Sequence, residues 1–314
     1  MEINFYGVRG SCPTPITARE YKEKVMLILD KASQEWSDTK KKITSEEIYN
    51  SLSPTLKRNI GGNTTCLDFI SSNGNHFIFD MGTGIRELGN SLAGKAFTEG
   101  LDLSIFMTHT HWDHIQGWPF FKPAYSPKVN INFYSCIKNL QERLERQQWD
   151  ENFPITLSAM ASQKNFHYLE EHQAIQVKDY TLTPFPLMHP GSCTGYQISN
   201  GKKSVLFCTD VELRENQLET IQKWNQNSAK CEILIIDAQY STEESEKKIG
   251  WGHTSVSMAV KAAEALGVKK VVLTHFEPDH TDEVAMQIIE DEIKGYEHNV
   301  EIIIAYEGLK LTVD

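Results

Sequence analysis

The sequence predicts an α/β fold built from two central sheets covered by helices, with a helical insertion after the first strand. Three observations carry this expectation. The early strands come as hairpins, the later apolar strands alternate with helical segments, and a charged helical stretch stands between the first two strands. Ile3, Phe5 and Val8 alternate as a first strand. Residues 18–50 then read as helical and charged, from Tyr21 through Asp30 and again from Ser45 to Tyr49, with Pro54 expected to close the stretch. The predicted insertion spans 18–58. Thr65–Ile70 and His76–Asp80 form a hairpin around Ser72-Asn73-Gly74. Strands near 103–108 and 129–135 follow, then a helix over 137–149 with Leu140, Leu144 and Trp149 as its apolar positions. Tyr196–Ile198 and Ser204–Phe207 flank Asn200-Gly201, a second hairpin signal. Strand 232–237, helix 255–266, strand 270–274, helix 282–294 and strand 300–306 complete the pattern.

Composition bounds the function. With 314 residues, 40% of them hydrophobic, and no Gly/Ser- or Pro-rich linker, the chain is expected to form one domain over 1–314. The net charge of −11 argues against a DNA-binding protein, because phosphate contacts need basic surface. No segment has the apolar length of a membrane span, and the N-terminus has no basic region leading into an apolar stretch. No membrane association and a cytoplasmic setting are therefore expected. The six cysteines are scattered, with no CxxC pair. Cys66, Cys136, Cys208 and Cys231 read as buried small hydrophobes in a reducing compartment.

The chemistry concentrates in His109-Thr110-His111-Trp112-Asp113-His114, directly after the strand-like run Leu103–Met107. Side chains two apart at a strand end point the same way, so His109 and His111 can grip one cation. Asp113 and His114, one turn further, can reach a second. Imidazole nitrogen and carboxylate oxygen suit Zn²⁺, Mn²⁺ or iron. Three later residues sit at tips of apolar strands and can complete the set: His189 after Phe185–Met188, Asp210 after Val205–Thr209, and His275 after Val271–Thr274. Each alone reads more readily as a turn former or a satisfied polar group; their coincidence with the first cluster reverses this and favours ligands.

His109-x-His111-x-Asp113-His114 followed by His189, Asp210 and His275 resembles the metallo-β-lactamase fold superfamily. The resemblance covers the chain apart from 18–58 and part of 150–170. It implies a four-layer αβ/βα sandwich with a dinuclear metal site on one sheet edge. It further implies that His109, His111 and His189 hold the first metal, that Asp113, His114 and His275 hold the second, and that Asp210 bridges them. Two divalent ions are implied, Zn²⁺ first and Mn²⁺ as the alternative. Asp80 in Phe79-Asp80-Met81-Gly82-Thr83-Gly84 matches an early Asp that orders the ligand loop.

Fold alone does not set the reaction. Asp210 stands where true β-lactamases carry a Cys ligand, which argues against a lactamase. Gly250-Trp251-Gly252-His253-Thr254-Ser255, ahead of an Ala-rich helix, is similar to the Gly-His-Ser/Thr motif of the phosphodiesterase branch, with Asp237 in the place of the acidic partner of that His. The implied catalytic set is His253, Asp237 and Asp113. The implied reaction is attack of a metal-bridging hydroxide on phosphorus, with His253 as the proton donor.

No basic arm of the kind that binds tRNA is evident, and with the negative charge this favours a small phosphodiester, above all a 3′,5′-cyclic nucleotide. The alternatives are another cyclic phosphate ester, tRNA 3′-end processing, or hydrolysis of a lactone or thioester on the same metals. Iron-based electron transfer, also hosted by this fold, lacks its usual Glu at His111. Branch members are often homodimers, and 18–58 is amphipathic enough to pack on the fold or form an interface. Arg9 and Asn63 could line the pocket or serve loop geometry. Trp112 and Trp118 could stack on a base, with buried packing expected for at least one of them. His280 is expected to belong to a helix start capped by Asp279 or Thr281.

Overall fold

Every parallel strand of the chain ends toward one rim, and that rim is where the His/Asp cluster sits. The computed structural model describes residues 1–39, 43–225, 229–294 and 296–313. Strand β1 (Glu2–Gly7) is followed by helices α1 (Ala18–Thr39), α2 (Ser45–Ser51) and α3 (Pro54–Lys57). Then come β2 (Cys66–Ile70), β3 (His76–Phe79), α4 (Ile85–Thr98), β4 (Leu101–Phe106), α5 (Trp112–Ile115), β5 (Val129–Ser135), α6 (Leu140–Gln147) and β6 (Gln163–Tyr168). The second half runs β7 (Ile175–Val177), β8 (Tyr180–Leu187), β9 (Cys193–Ser199), β10 (Lys203–Cys208), β11 (Lys230–Asp237), α7 (Thr242–Lys247), α8 (Val256–Leu266), β12 (Lys270–Thr274), α9 (Asp282–Ile293), β13 (Glu301–Ile304) and β14 (Lys310–Thr312).

Among the described residues the strands form two seven-stranded mixed sheets, ordered β14-β1-β2-β3-β4-β5-β6 and β13-β12-β11-β10-β9-β8-β7. In the first, β1, β2 and β3 pair antiparallel, while β3 through β6 pair parallel. In the second, β7 through β10 are antiparallel and β10 through β13 parallel. This is the predicted α/β architecture with two central sheets.

Strand alternation decides which side chains fill which layer. Phe77 and Phe79 of β3 enter the core between the sheets, while Ile78 turns to the opposite face under α4. Across the sheet–sheet interface Phe79 packs on Phe207 of β10 and Tyr196 of β9, with ring centroids 5.3 and 5.6 Å apart. Helix α4 buries Ile85, Leu88, Leu92 and Ala96 on the outer face of the first sheet. Helix α8 buries Val256, Ala259, Val260, Ala262 and Ala263 against the second sheet.

Several sequence expectations change. The helical stretch 18–50 is two helices; residues 40–42 between them lie outside the described residues. Pro54 does not close it but opens α3 at the first helical position, where proline's missing N–H costs no hydrogen bond. Trp149 is not a core position of α6; it is 55% exposed beyond the helix end, and Leu140 and Leu144 alone form the buried face. Of the four cysteines read as buried, Cys66, Cys208 and Cys231 are, while Cys136 is half-buried.

One buried cation ties the insertion's root to both sheets. Arg9 bridges to Thr64 and Phe276 through its backbone. Its guanidinium donates to the carbonyls of Gly61 (2.9 Å), Glu277 (3.2 Å) and His280 (3.1 Å) and to Asp282 Oδ1 (2.7 Å). Burial lowers the Arg9 pKa, with Asp282 opposing the shift. Replacing Arg9 with Ala removes four hydrogen bonds at once and leaves Asp282 with only the Ile60 N–H and the more distant Lys24, so we expect a loss of about 3 kcal/mol in stability, read as a lower denaturant midpoint. An unchanged midpoint would mean that water satisfies these groups as well as the guanidinium does.

Candidate metal centre

The site is assembled from strand ends and the sharp turns that follow them. Thr108 through His114 leave the end of β4, His189 follows β8, Asp210 follows β10, Asp237 ends β11, and His275 follows β12. A rigid strand pair fixes each backbone, so short side chains from five strands converge with little freedom. Two of these residues, Asp210 (φ 57°) and His275 (φ 62°), take left-handed backbone conformations, as does Asp80 (φ 59°) after β3. Such a conformation is uncommon for a residue with a Cβ and turns the chain so that the side chain points inward from the strand tip.

The imidazoles are oriented by what their far nitrogens touch. His114 Nδ1 donates to Asp80 Oδ2 at 2.8 Å, and Asp80 in turn accepts from the Thr108 backbone N–H (2.9 Å) and hydroxyl (2.8 Å). His109 Nδ1 lies 3.0 Å from the same hydroxyl. His189 Nδ1 donates to the Gly252 carbonyl at 2.9 Å, and His275 Nδ1 donates to Gln239 Oε1 at 3.1 Å. This pattern assigns the proton of each ring to Nδ1 and leaves the Nε2 lone pair facing inward.

The four inward nitrogens divide over the two oxygens of one carboxylate. Asp210 Oδ2 lies 3.5 Å from His109 Nε2 and 3.6 Å from His189 Nε2. Asp210 Oδ1 lies 3.1 Å from His114 Nε2 and 3.0 Å from His275 Nε2. Asp113 Oδ2 adds contacts of 3.2 Å to both His114 and His275, and accepts from the Ser11 N–H at 2.9 Å. His111 Nδ1 lies 3.0 Å from His189 Nε2. Three groups have donor atoms within 4.8 Å of one another: His109/His111/His189/Asp210, Asp113/His114/Asp210/His275, and Asp237/His253/His275, the last joined through Asp237 Oδ2, which lies 2.6 Å from His253 Nδ1 and 4.0 Å from His275 Nδ1.

These residues fit a pair of cations on physical grounds. Lone pairs of imidazole and carboxylate point at each other, and the buried Nε2 atoms of His109 and His114 have no hydrogen-bond partner. Burying such atoms unpaired is costly. A cation in each of the first two groups reconciles them, with the N/O donor set that suits zinc and manganese. Burial alone would raise the Asp210 pKa, but His114, His275 and His109 outweigh it and hold the carboxyl well below its usual range.

Beside this cluster His253 Nδ1 donates to Asp237 Oδ2 at 2.6 Å. Asp237 Oδ1 accepts from the N–H groups of Gln239 (3.1 Å) and Thr254 (3.3 Å), so the carboxylate is fixed. Burial lowers the His253 pKa, but Asp237 outweighs it and raises the value to about 9. The His253 and His275 rings stack with centroids 5.0 Å apart. Thus His253, Asp113, His111 and Asp210 line one open cleft of about 400 Å³ together with Ser11, Thr110 and Trp112.

All the sequence-selected residues of the cluster meet at one place. Others do not. Arg9 and Asn63 serve loop geometry, Arg9 as described and Asn63 through Glu307. Trp118 is buried, with its indole N–H on Gln148. His280 donates to Glu244, and Thr281 caps α9. Two supporting residues, Gln239 and Glu212, escape the sequence reading, and Ser11 stands out there only as the end of the turn Gly7-Val8-Arg9-Gly10-Ser11, with no role of its own. Glu212 accepts from the N–H groups of Gly250 (2.8 Å) and Gly252 (2.9 Å) and shapes the turn before His253. A Cβ on Gly252 would lie 2.2 Å from His189 Nδ1, so only glycine lets that backbone reach the ring. The repeated glycines around Trp251 were the available signal for such a turn.

Comparison with known proteins agrees with this geometry. The profile described as Beta-lactamase superfamily domain matches residues 76–276. Ribonuclease BN of Cronobacter sakazakii is 20% identical over 268 residues, covering 68% of this chain and 82% of that protein. Ribonuclease Z of Bacillus velezensis is 21% identical over 259 residues, covering 67% and 80%. Among solved structures, unliganded yeast PDE1 superposes with a TM-score of 0.63 at 13% identity, covering 99% of each chain. Human tRNase Z, short form, gives 0.59 at 16% identity over 100% of each chain. With two seven-stranded sheets, a His/Asp cluster at their rim and a profile match across most of the chain, this protein belongs to the metallo-β-lactamase superfamily, as a hydrolase.

Proposed function

We propose that the protein is a dinuclear-metal-dependent phosphodiesterase acting on a small phosphodiester, first of all a 3′,5′-cyclic nucleotide. The observation that carries the reading is the division of Asp210 between two ligand groups, with the His253–Asp237 pair lining the same cleft. In this reading His109, His111 and His189 hold one cation, Asp113, His114 and His275 the other, and Asp210 touches both. When bound, the two cations supply charge neutralisation for phosphate oxygens and an activated water at neutral pH.

The chain's own residues do the rest. Asp80, Gln239 and the Gly252 carbonyl hold three ligand rings in register. Asp237 keeps His253 oriented and charged, so that it can give a proton to the departing oxygen of the ester. The proposal takes 1–314 as one domain with 18–58 as an insertion. It includes Zn²⁺ as the resident ion, a cytoplasmic setting and a homodimer. The apolar side chains that α1 leaves exposed, Met26, Leu27, Leu29 and Trp36, support the last of these.

A second reading, processing of tRNA 3′ ends, is favoured by the names of the ribonuclease relatives. The net charge of −11 weighs against it. Zn²⁺- or Mn²⁺-loaded protein assayed on 3′,5′-cyclic nucleotides beside a tRNA precursor separates the two. We expect kcat/KM to be higher for a cyclic nucleotide; a clear preference for the precursor would replace the first reading with the second.

A further inference from the structure

We propose that the cavity adjoining the metal centre at Trp112 is a nucleobase subsite. The inference deepens the phosphodiesterase reading and rests on it. Trp112 sits inside the ligand motif, between His111 and Asp113, yet its side chain is not used for packing. At 84% exposure it is the most exposed large apolar side chain among the described residues. On one side it lines the catalytic cleft; on the other, with Thr110, it walls a neighbouring cavity of about 520 Å³. That volume falls in the usual range of small-molecule sites, about 300–1,000 Å³. Thr110 and Trp112 belong to both spaces, so a group in the second cavity can be covalently continuous with a phosphate in the first.

The polar groups of the second cavity are placed for recognition. Gln147 Nε2 donates to the Ile115 carbonyl at 2.7 Å, which fixes the amide and leaves Oε1 buried without a partner. An acceptor held this way is completed by an N–H donor from a ligand. Arg143 is held flat against the wall by Asn139 Oδ1 (2.9 Å) and Thr110 Oγ1 (2.7 Å). It makes no ion pair among the described residues, although the chain as a whole is strongly acidic. An open indole face, a fixed amide acceptor and a guanidinium donor with no ion-pair partner match a planar heterocycle with both N–H and carbonyl groups on its edge. A nucleobase has these features: its face stacks on the aromatic ring and its edge is read by hydrogen bonds.

The test compares two esters with the same leaving group: the p-nitrophenyl ester of thymidine 5′-phosphate, which carries a base, and methyl p-nitrophenyl phosphate, which does not. We expect the native protein to prefer the first, chiefly through KM. We expect Trp112→Ala to reduce that preference about tenfold, the scale of losing one base–aromatic stack. Gln147→Leu should reduce it several-fold, and Trp112→Phe, which keeps an aromatic face, should retain most of it. No preference in the native protein, or the same preference in Trp112→Ala, overturns the subsite. If the metal-loaded protein hydrolyses neither ester, the phosphodiesterase reading fails instead. Calorimetric titration with thymidine 5′-monophosphate then decides the subsite: about tenfold weaker binding by Trp112→Ala supports it, and equal affinity overturns it.

Discussion

Asp210→Asn should lower the number of tightly bound cations per chain from two and reduce phosphodiester turnover by about a thousandfold, equivalent to about 4 kcal/mol of barrier. The substitution keeps the shape of the side chain, and Asn tolerates the left-handed backbone at this position (φ 57°), so the strand end has no reason to rearrange. What it removes is the negative charge and one of two anionic oxygens. Those oxygens lie 3.0–3.6 Å from four imidazole nitrogens, two on each side. An amide offers one acceptor and one donor, so one ligand group gains an N–H directed at its own lone pairs. Elemental analysis of the purified variant reads the cation count independently of turnover. Two retained cations with normal activity would show that the carboxylate does not join the groups.

His253→Ala should act differently. The cation count should stay at two, because His253 contacts the cluster only by stacking on His275 and packing beside His189. We expect kcat for a cyclic nucleotide to fall by about 10²–10⁴-fold, the range for loss of a positioned proton donor. The loss should shrink to a few-fold for a p-nitrophenyl ester, whose leaving phenolate needs no proton. The contrast between leaving groups separates proton donation from simple binding. If both substrates lose activity equally, His253 clamps the phosphate rather than protonating the leaving oxygen. Asp237→Asn should follow the same pattern with a smaller amplitude, since Asp237 acts through the orientation and charge of His253.

The strands that end in ligands were the most legible part of the sequence. Buried parallel strands read as near-continuous apolar runs, and a His or Asp at the end of such a run stands out, as at Phe207–Asp210 and Leu273–His275. The parts that were missed had physical reasons to be quiet. Helix α4 carries Gly89 and Gly94 in its interior, which weakens its helical signal, though its buried face is regular. Of strand β8 only the end is legible, as the apolar run before His189; Pro184 and Pro186 argue against a strand in an isolated window and hide the rest. Strand β6 lies at a sheet edge with mostly polar positions, none of them buried. The supporting shell of Ser11, Glu212 and Gln239 is spread over more than two hundred residues of sequence, and each is an ordinary polar residue until the fold brings it to the rim.

The charge pattern of 18–50 marks the helical stretch, but Pro54, which the pattern suggests as a stop, serves as a start. Proline punctuates helices at both ends, and only the preceding Ser53, which caps α3, distinguishes the two. For the functional residues the same limit applies to Trp112. Its place in the motif is visible in sequence, while its exposure and the adjoining cavity are properties of the folded chain.

In the proposed function, two cations joined by Asp210 equip this cleft for phosphodiester hydrolysis. Titrating metal-free protein with Zn²⁺ or Mn²⁺ while following hydrolysis of a p-nitrophenyl phosphodiester tests it most directly. We expect little activity at one equivalent and a rise that saturates at two equivalents per chain. Full activity at a single equivalent, or no phosphodiester hydrolysis with both positions filled, would contradict it.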